Sequence, residues 1–401
     1  MQQSKTLEVF YHGESIGTLA ETPDKRIAFQ YTNNWQKNGF SINPHSLPLD
    51  NTVFVPNSRS LDRFGGLFGI FADSLPDTWG ELLLDRHLEE IGIPRSSIST
   101  LDRLAFIGTN GMGALEYHPS RNSDYDMKHF GMDYDTIAKE CEKVLSSKRT
   151  DQLDILYQMG GSSGGTRPKI FLSENDREWI IKFPSKTDPE YCGKREYDYS
   201  LCAKDCGIHM TDTALIPSNS CEGYFKTERY DRQNGEKVFC ATFAGLLEAD
   251  YRAPACDYEI LFKLVRALTK DYKPDVEQLY RVMCFNVATH NLDDHMKNFS
   301  MVYTSDHSWR FAPAYDLTYS DTYWGEHMTS VKQKGKNIQR DHLLSLGRGA
   351  GLSDRFCRQT LDEILEKTAP LKKYMGKYTG KESEIHLPFR ERLAEFHADV
   401  N

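Results

Sequence analysis

Hydrophobic and polar residues alternate along the first part of the chain, between residues 5 and 55. The stretches L-E-V-F-Y, I-G-T-L-A and I-A-F-Q-Y place apolar side chains at alternate positions, and the turn sequences H-G-E and P-D-K separate them. A period of two is typical of strands with one buried face. This part of the chain is therefore predicted to consist of β-strands.

A helical pattern replaces the strands from residue 65 onward. Leucines at positions 82, 83, 84 and 88 fall on one helix face, and Asp77 is placed to cap a helix that begins near Thr78. The stretch F-I-G-T-N-G-M-G-A-L-E-Y closes this part near residue 118. The polar run R-N-S-D-Y-D-M-K that follows is the predicted boundary of a β-rich N-terminal subdomain with helices, residues 1–120.

A glycine-rich loop stands between a predicted helix, at about 134–148, and a predicted β-hairpin. The loop reads G-G-S-S-G-G-T-R-P-K, residues 160–169, and I-F-L-S, the turn E-N-D-R and E-W-I-I-K-F-P form the hairpin. Because the loop leads into a strand, it fits neither the Walker nor the Rossmann pattern and follows the arrangement of protein kinases. By itself, such a loop is more typical of a flexible turn.

An acidic loop with a metal-binding pattern follows a predicted helix at D-V-E-Q-L-Y-R-V-M-C-F-N-V-A-T-H. Phosphoryl transfer needs one carboxylate that accepts a proton, and an Asn and a second carboxylate that hold Mg²⁺. Asp293 and Asn298 have the required spacing, and Asp316 follows after a predicted hairpin. Asp294 competes for the role of base but is one residue out of register. The D-x-x-x-x-N spacing alone also arises by chance.

Three further segments fit a kinase that binds ATP. Lys182 ends an apolar strand after the glycine-rich loop, where a kinase places its phosphate-binding lysine, and Glu196 on the next predicted helix is the candidate partner. Residues 228–230, in F-K-T-E-R-Y-D-R, are candidates for backbone contacts to adenine. Each has an ordinary alternative, namely a solvated strand-end lysine, an exposed helix glutamate and surface strand residues.

Composition narrows the class of protein without identifying it. The chain has 401 residues, 39% of them hydrophobic, and a formal net charge of −9, which argues against a protein that coats nucleic acid by itself. No apolar run reaches the roughly 18 to 20 residues of a membrane span, and the N-terminus lacks the apolar core of a signal peptide. We therefore expect a cytoplasmic protein that contacts no membrane. The nine cysteines contain no C-x-x-C and are expected to be reduced, packed thiols.

In combination, these motifs resemble the HipA-type serine/threonine kinases, the toxins of HipA–HipB toxin–antitoxin modules. The resemblance rests on S-S-G-G-T-R-P-K, the lysine before F-P, E-R-Y-D-R, L-D-D-H-M-K-N-F-S and A-P-A-Y-D-L, in this order, and on L-P-D-T-W-G and G-M-G-A-L in the first part. Asn291 stands where eukaryotic-type kinases have His, and His295 follows the catalytic position instead. This arrangement fits the HipA pattern.

The resemblance implies an α+β fold, namely a bilobed protein-kinase-like fold with a β-rich N-terminal subdomain and a mainly helical C-terminal lobe. The expected kinase lobes are residues 121–235, with the glycine-rich loop, and 236–401, with the catalytic loop. The implied activity is ATP- and Mg²⁺-dependent phosphorylation of a protein such as an aminoacyl-tRNA synthetase. The implied partner is a HipB-like helix-turn-helix antitoxin, through which alone the chain would reach DNA.

The resemblance also assigns roles to single residues. Asp293 is the expected base, His295 orders the loop or serves only as a buried structural residue, and Lys297 neutralises the transferring phosphate. Relatives phosphorylate a serine of their own glycine-rich loop, and the matching position is Ser162, with Ser163 as the alternative. Asn298 and Asp316 are the expected Mg²⁺ ligands. The expected nucleotide-binding residues are Ser162, Ser163, Gly164, Gly165, Lys169, Lys182, Glu196, Glu228, Arg229 and Tyr230.

Two other functions stay open at the level of sequence. The first is a catalytically silent protein that binds ATP and an antitoxin, although intact metal ligands argue against it. The second is a small-molecule phosphotransferase of the aminoglycoside type, which shares the D-x-x-x-x-N spacing. The absence of His at position 291 and the additional N-terminal subdomain make that alternative weaker.

Overall fold

The computed structural model describes residues 4–121, 132–254, 256–322 and 325–377. The chain divides into two compact units. The first unit contains the chain up to residue 189 together with 218–220 and 227–249. The second contains 190–217, 221–226 and the chain from 250 onward.

The secondary structure mixes short strands with helices throughout the described part of the chain. The strands are β1 (Thr6–Tyr11), β2 (Glu14–Glu21), β3 (Ile27–Tyr31), β4 (Leu115–His118), β5 (Lys169–Glu174), β6 (Arg177–Lys182), β7 (Thr213–Ile216), β8 (Tyr224–Glu228), β9 (Arg232–Gln233), β10 (Glu236–Lys237), β11 (Phe239–Thr242), β12 (Cys256–Asp257), β13 (Ser300–Tyr303), β14 (Trp309–Phe311) and β15 (Thr329–Ser330). The α-helices are α1 (Asn33–Asn38), α2 (Ser60–Phe64), α3 (Gly69–Ala72), α4 (Thr78–Glu90), α5 (Thr100–Ile107), α6 (Tyr134–Leu145), α7 (Leu153–Gly160), α8 (Cys192–Asp205), α9 (Phe243–Leu247), α10 (Tyr258–Leu268), α11 (Tyr272–Ala288), α12 (Arg340–Gly349) and α13 (Asp354–Lys377).

The strands predicted between residues 5 and 55 form three strands of a four-stranded sheet in the first unit. Its order is β3-β2-β1-β4, with antiparallel neighbours. The turn between β1 and β2 consists of His12 and Gly13, whose φ angles of 47° and 77° are those of a two-residue turn that matches the strand twist. Alternate residues such as Leu7 and Val9 are buried, which confirms the strands predicted from the period of two.

The hairpin predicted after the glycine-rich loop is present as β5 and β6. Asn175 and Asp176 form its turn, and their φ angles of 53° and 59° are tolerated by these two residue types. The antiparallel register sets Lys169 opposite Lys182 at the open end. The loop therefore runs into a strand, as the sequence predicts.

Helices cover the rest of the first unit's core. The face of α4 that carries Trp79, Leu83, Leu84 and Leu88 is buried, and this helix packs against α7. Leu82, which belongs to the predicted apolar face, is only partly buried. The predicted helix at 134–148 is α6, which ends at Leu145.

The second unit is built around α11. This helix packs against α10 and α13, and its residues from Val282 to Ala288 are all buried. It leads into the acidic loop and then into the antiparallel hairpin β13–β14. β12 pairs in parallel with β15 beside this loop. Helix, loop and hairpin thus follow in the predicted order.

The predicted domain boundaries stay predictions. The first falls on residues 121–128, of which all but residue 121 lie outside the described residues. The second, after residue 235, falls within the β9–β10 hairpin of the first unit. All nine cysteines are free thiols, and six of them are buried. In the described part of the chain, no helix has the length and apolar character needed to cross a membrane.

A buried ion-pair network holds the E-R-Y-D-R segment in the first unit. The Arg229 guanidinium, whose residue is 2% exposed, donates to Asp231 at 2.7 and 3.0 Å and lies over the Phe171 ring. Burial alone would raise the pKa of Asp231, but Arg229, Arg232 and the Gly113 N–H lower it well below its usual range. The network therefore depends on a carboxylate that stays charged.

Replacing Asp231 by Ala should destabilise the first unit strongly, because it leaves a buried guanidinium without its main counter-charge. We expect a loss of about 3 to 5 kcal/mol in the free energy of unfolding, measured by urea denaturation. Asp24→Ala, which removes an exposed partner of Arg26, is the matched control and should cost much less. Equal losses in the two variants would show that the buried network contributes no more than a surface pair.

A partly buried carboxylate in this unit has the opposite electrostatic balance, because its pKa is raised. Glu248 follows α9, with the left-handed φ of 52°, and accepts hydrogen bonds from Gly69 N at 2.9 Å and Ser46 Oγ at 3.1 Å. Arg63 donates to its carbonyl rather than to its carboxylate. Burial raises the pKa of Glu248 to about 7, although these two hydrogen bonds lower it and nearby Asp73 raises it further.

Glu248 should make the protein less stable as pH rises. Its pKa in the folded state is higher than the ordinary value of 4.5, so the folded state binds the proton more tightly, and this stabilisation is lost as pH rises through about 7. Relative to Glu248→Gln, the wild type should lose about 1.4 kcal/mol per unit of pKa difference between pH 5 and 8, measured by denaturation at each pH. Glu21→Gln should give no trend between pH 5 and 8 and the opposite trend only below about pH 4.5, because the hydrogen bond from Lys25 lowers the pKa of Glu21 and its contribution is lost as pH falls through that lowered pKa. A pH-independent difference for Glu248→Gln contradicts the assignment.

Candidate active site

The glycine-rich loop is tightly bonded within the first unit. Ser162 Oγ donates to the Asn110 carbonyl at 2.7 Å, and Ser163 Oγ donates to the Gly160 carbonyl at 2.6 Å. Ser163 is 0% exposed, whereas Ser162 is only partly buried. The two serines that the sequence could not distinguish therefore differ in their access to solvent.

Asp77 binds this loop instead of capping its own helix. It occupies the N-cap position of α4, as predicted, but its carboxylate makes no capping bond and accepts a hydrogen bond from Gly165 N at 2.9 Å. The expectation that its side chain caps α4 is therefore wrong. Backbone bonds from Asp77 N to Ser163 O and from Trp79 N to Gly165 O, both 3.3 Å, complete the contact. The first turn of α4 and the loop thus hold each other.

Gly80 allows this close approach. A β-carbon at this position would lie 2.7 Å from the Ser163 carbonyl oxygen and 2.9 Å from that of Gly161, distances that real β-carbons do not adopt. The glycine of L-P-D-T-W-G is therefore required by the close packing of α4 against the loop. Trp79 adds a hydrogen bond from Nε1 to the Lys169 carbonyl at 3.1 Å.

The two candidate lysines have different surroundings. Lys169 is 6% exposed, and its ammonium donates to the Gly164 carbonyl, so it fastens the loop from within. Lys182, its neighbour across the hairpin, is partly exposed at the end of β6. Glu196 lies on α8 in the second unit and is 2% exposed, which differs from an exposed helix glutamate. The pairing of Lys182 with Glu196 stays a prediction.

The side chains of the candidate adenine segment have structural partners. Arg177 binds the Glu228 carboxylate through two nitrogens. Arg229 is committed to its buried ion pair, and its backbone N–H donates to the Glu178 carbonyl at 2.9 Å. Tyr230 is partly exposed. Contacts of this segment to adenine through backbone groups stay a prediction.

The two adjacent aspartates of the acidic loop, in the second unit, differ in their exposure to solvent. The Asp293 side chain is 52% exposed, and Asn298 Nδ2 donates to the Asp293 carbonyl at 2.7 Å. Asp294 is 1% exposed and accepts from Tyr258 Oη at 2.8 Å, His327 Nδ1 at 2.8 Å and Thr329 N at 3.1 Å. A carboxylate engaged in this way anchors the loop, so the position next to it is the one that meets solvent.

Hydrogen bonds join the acidic loop to the backbone of the segment that contains Asp316. Asn291 Nδ2 lies 3.5 Å from the Asp316 carbonyl oxygen, and Leu292 N donates to the Ser320 carbonyl at 2.9 Å. Asp316 itself adopts a φ of 54°, in the left-handed region that few residue types tolerate. The two segments that carry the predicted base and the predicted metal ligands are therefore bound together.

The Tyr251 ring contacts the other two candidate catalytic residues, His295 and Lys297. Its ring lies 4.6 Å from Lys297 Nζ, in a cation–π contact, and 5.3 Å from the His295 ring. His295 Nε2 is 3.9 Å from Asp293 Oδ1, and His295 is partly exposed. This geometry agrees with a loop-ordering role for His295.

Four residues that support the site were not among the predicted site residues. Asn110, Trp79, Tyr251 and His327 lie far along the chain from the motifs they support. Trp79 and Asn110 lie in sequence motifs that could have identified them, namely L-P-D-T-W-G and the N-G before M-G-A-L. Tyr251 and His327 stand in no recognisable motif.

Two family models match most of the chain. Residues 7–118 match the HipA N-terminal domain, and residues 161–371 match the HipA-like C-terminal domain. The putative kinase Y4dM of Sinorhizobium fredii is 22% identical over 408 residues, which cover 92% of this chain and 91% of that protein. The serine/threonine-protein kinase toxin HipA of Shewanella oneidensis is 23% identical over 363 residues, with 80% and 77% covered.

Solved structures agree on the fold. The structure of Shewanella oneidensis HipA with HipB and operator DNA matches with a TM-score of 0.70 at 19% identity, over 98% of this chain and 96% of that one. The architecture is thus an α+β fold that this chain shares with that HipA structure. Because the C-terminal family model alone covers more than half of the sequence, the chain belongs to the HipA family.

Removing the Asp77 carboxylate should loosen the glycine-rich loop. In Asp77→Ala, Gly165 N loses a hydrogen bond to a charged acceptor, worth about 1.5 to 3 kcal/mol, so amides of residues 161–167 should exchange with solvent roughly tenfold faster or more. Hydrogen exchange with mass spectrometry measures this. Asp154→Ala, which removes an exposed carboxylate from α7 next to the loop, is the control and should leave that exchange unchanged. Unchanged exchange in Asp77→Ala would show that the loop does not depend on this bond.

Proposed function

We propose that the chain is an ATP- and Mg²⁺-dependent serine/threonine protein kinase and the toxin of a type II toxin–antitoxin module. The observation that carries the proposal is the contrast between the adjacent aspartates. The Asp294 carboxylate accepts hydrogen bonds from buried donors, whereas the Asp293 carboxylate is 52% exposed. Asp293 is therefore the one of the two that can orient a substrate hydroxyl and accept its proton.

Asn298 and Asp316 would hold magnesium. Both provide oxygen ligands, which Mg²⁺ prefers. Because Asn298 Nδ2 donates to the Asp293 carbonyl, the Oδ1 of the same amide is the atom left for a metal. Magnesium bound there would neutralise charge on the phosphate oxygens. In this proposal Asp293 and Asn298 keep their spacing through their own hydrogen bond.

The glycine-rich loop and the hairpin that follows it would supply the phosphate-binding groups. Backbone N–H groups of Gly164 and neighbouring loop residues, together with Lys182, are proposed to bind the ATP phosphates. Lys169 donates to the Gly164 carbonyl and would maintain the shape of the loop rather than reach the nucleotide. Lys297 is proposed to neutralise the transferred phosphate.

Autophosphorylation is proposed at Ser162 rather than Ser163. Ser163 is fully buried, whereas Ser162 is partly exposed and bonded to the Asn110 carbonyl. A phosphate on Ser162 cannot donate to that carbonyl and adds about −1.5 to −2 charge next to the loop. The modification would therefore release the contact that Ser162 makes and would repel the ATP phosphates.

The partners are proposed from the family. The related Shewanella structure contains HipA together with HipB and operator DNA. We propose that a HipB-like helix-turn-helix antitoxin binds this chain and that DNA is reached only through that antitoxin. The substrate would be a serine or threonine in a translation component such as an aminoacyl-tRNA synthetase.

Replacing Asp293 by Asn should abolish phosphate transfer while the fold is retained. The amide cannot accept the substrate proton, so we expect a loss on the order of 10² to 10⁴-fold in rate. The measurement uses labelled ATP and Mg²⁺ with the purified protein, alone and with cell lysate, followed by mapping of the phosphorylated sites. Asp306→Asn, in the exposed β13–β14 turn, is the control and should transfer phosphate at the wild-type rate.

The outcomes separate the proposed kinase from its alternatives. Wild-type activity in Asp293→Asn would contradict the assignment of the base. A wild-type protein that binds ATP but labels neither itself nor any lysate protein would be the silent antitoxin partner. Labelling of a free sugar or antibiotic, without labelled protein, would identify a small-molecule phosphotransferase.

A further inference from the structure

A chain of hydrogen bonds runs beneath the acidic loop of the second unit. It begins at the buried Asp294 carboxylate, which accepts from Tyr258 Oη at 2.8 Å. Asn286 Nδ2 donates to the same Tyr258 oxygen at 3.1 Å, and Asn291 Nδ2 donates to Asn286 Oδ1 at 3.0 Å. These four residues, Asp294, Tyr258, Asn286 and Asn291, are called the relay below. All four are at most 2% exposed.

The carboxylate fixes the direction of every bond in the relay. A charged Asp294 can only accept, so the Tyr258 hydroxyl must donate to it and can only accept from Asn286. Burial and the Asp294 charge raise the pKa of Tyr258 well above its usual range, which keeps that proton on the hydroxyl. Asn286 therefore turns its amide nitrogen towards Tyr258 and its oxygen towards Asn291, which must donate in turn.

This direction determines what the Asn291 side chain can do. Its nitrogen faces Asn286 at 3.0 Å and the Asp316 carbonyl oxygen at 3.5 Å. Its Oδ1 is buried and has no hydrogen-bond partner among the residues that the structure describes. That oxygen belongs to a residue lining a small cavity together with Asn298, Ser300 and Tyr315. The relay thus leaves one oriented acceptor beside a proposed magnesium ligand.

Asp316 needs support of this kind. Its φ of 54° is unfavourable for a residue with a side chain, although Asp tolerates it better than most. The backbone holds it from both sides, through Ala314 N bonded to the His209 carbonyl and through the pairing of Asn291 with Ser320. The Asn291 amide adds a side-chain contact, with its nitrogen 3.5 Å from the Asp316 carbonyl oxygen.

We propose that Asn291 is a positioning residue that couples the buried Asp294 anchor to Asp316 and orients a hydrogen-bond acceptor towards the magnesium site. The inference rests on the proposed kinase function only for its metal. Asn291 would contact neither the substrate nor the nucleotide. It acts by fixing the Asp316 peptide and by accepting a hydrogen bond from a water in the cavity that Asn298 also lines.

Asn291→Asp tests the relay with almost no change in shape. The new carboxylate cannot donate to Asn286 or to the Asp316 carbonyl, so amides of residues 316–320 should exchange faster with solvent. Mn²⁺ binding with a non-hydrolysable ATP analogue, followed by electron paramagnetic resonance, should weaken by about 10- to 100-fold. The Mg²⁺ concentration for half-maximal transfer should rise likewise, with activity recovering at high Mg²⁺.

Two further variants keep the test decisive. Tyr258→Phe breaks the relay away from the metal, should fold if Asn291→Asp does not, and should shift exchange and Mn²⁺ binding in the same direction. Thr318→Val is the matched control, because its buried hydroxyl has no partner within the described part of the chain and lies in the same segment as Asp316. It should leave exchange and Mn²⁺ binding at wild-type values.

Each result decides the proposal. Wild-type exchange at 316–320 and wild-type Mn²⁺ binding in the two relay variants would overturn it, and so would a general rise in exchange across the second unit, which indicates a purely structural role. If the wild type transfers no phosphate or binds no Mn²⁺, the kinase assignment fails. Faster exchange confined to 316–320 would still support the relay in that case.

Discussion

The Asp294 carboxylate has no access to water, so donors from the protein must match its oxygens if it is to stay charged. Tyr258 provides one donor from the start of α10, and His327 and the Thr329 backbone provide the others from the segment around β15. The acidic loop, the start of α10 and the chain around β15 are therefore bound at one point. Because this point is adjacent to Asp293, the position of that side chain follows from the same burial.

In the first unit, the glycine-rich loop also depends on hydrogen bonds from distant parts of the chain to hold its conformation. A glycine-rich segment has little side-chain packing to hold it, and its order must come from backbone bonds. Asp77, the backbone of Trp79 and the Asn110 carbonyl provide these from the N-terminal part of the chain. The HipA N-terminal domain is thereby more than an addition to the kinase-like part, since it fixes the conformation of the loop.

The sequence predicts local structure well and burial poorly. The β5–β6 hairpin could be predicted because Asn175 and Asp176 are residue types that tolerate the left-handed conformation of a two-residue turn. The order of helix, acidic loop and hairpin was likewise visible from α11 onward. The difference between Asp293 and Asp294 was not, because it depends on Tyr258 and His327, which lie more than 30 residues away in opposite directions. Asp77 was misjudged for the same reason, since Gly165 competes for its carboxylate across 88 residues.

The left-handed backbone of Asp316 has a consequence for how this protein can diverge. Asn tolerates the same conformation as Asp, so the exchange of one for the other keeps the fold but removes a carboxylate. A single-base change in the codon is enough for it. Most substitutions at the position are opposed by backbone strain, and the two residue types that this backbone accepts readily, Asn and Gly, both remove the carboxylate. With Asp316 as the proposed magnesium ligand, gene copies under relaxed selection should drift through this position towards well-folded forms with a weakened metal site.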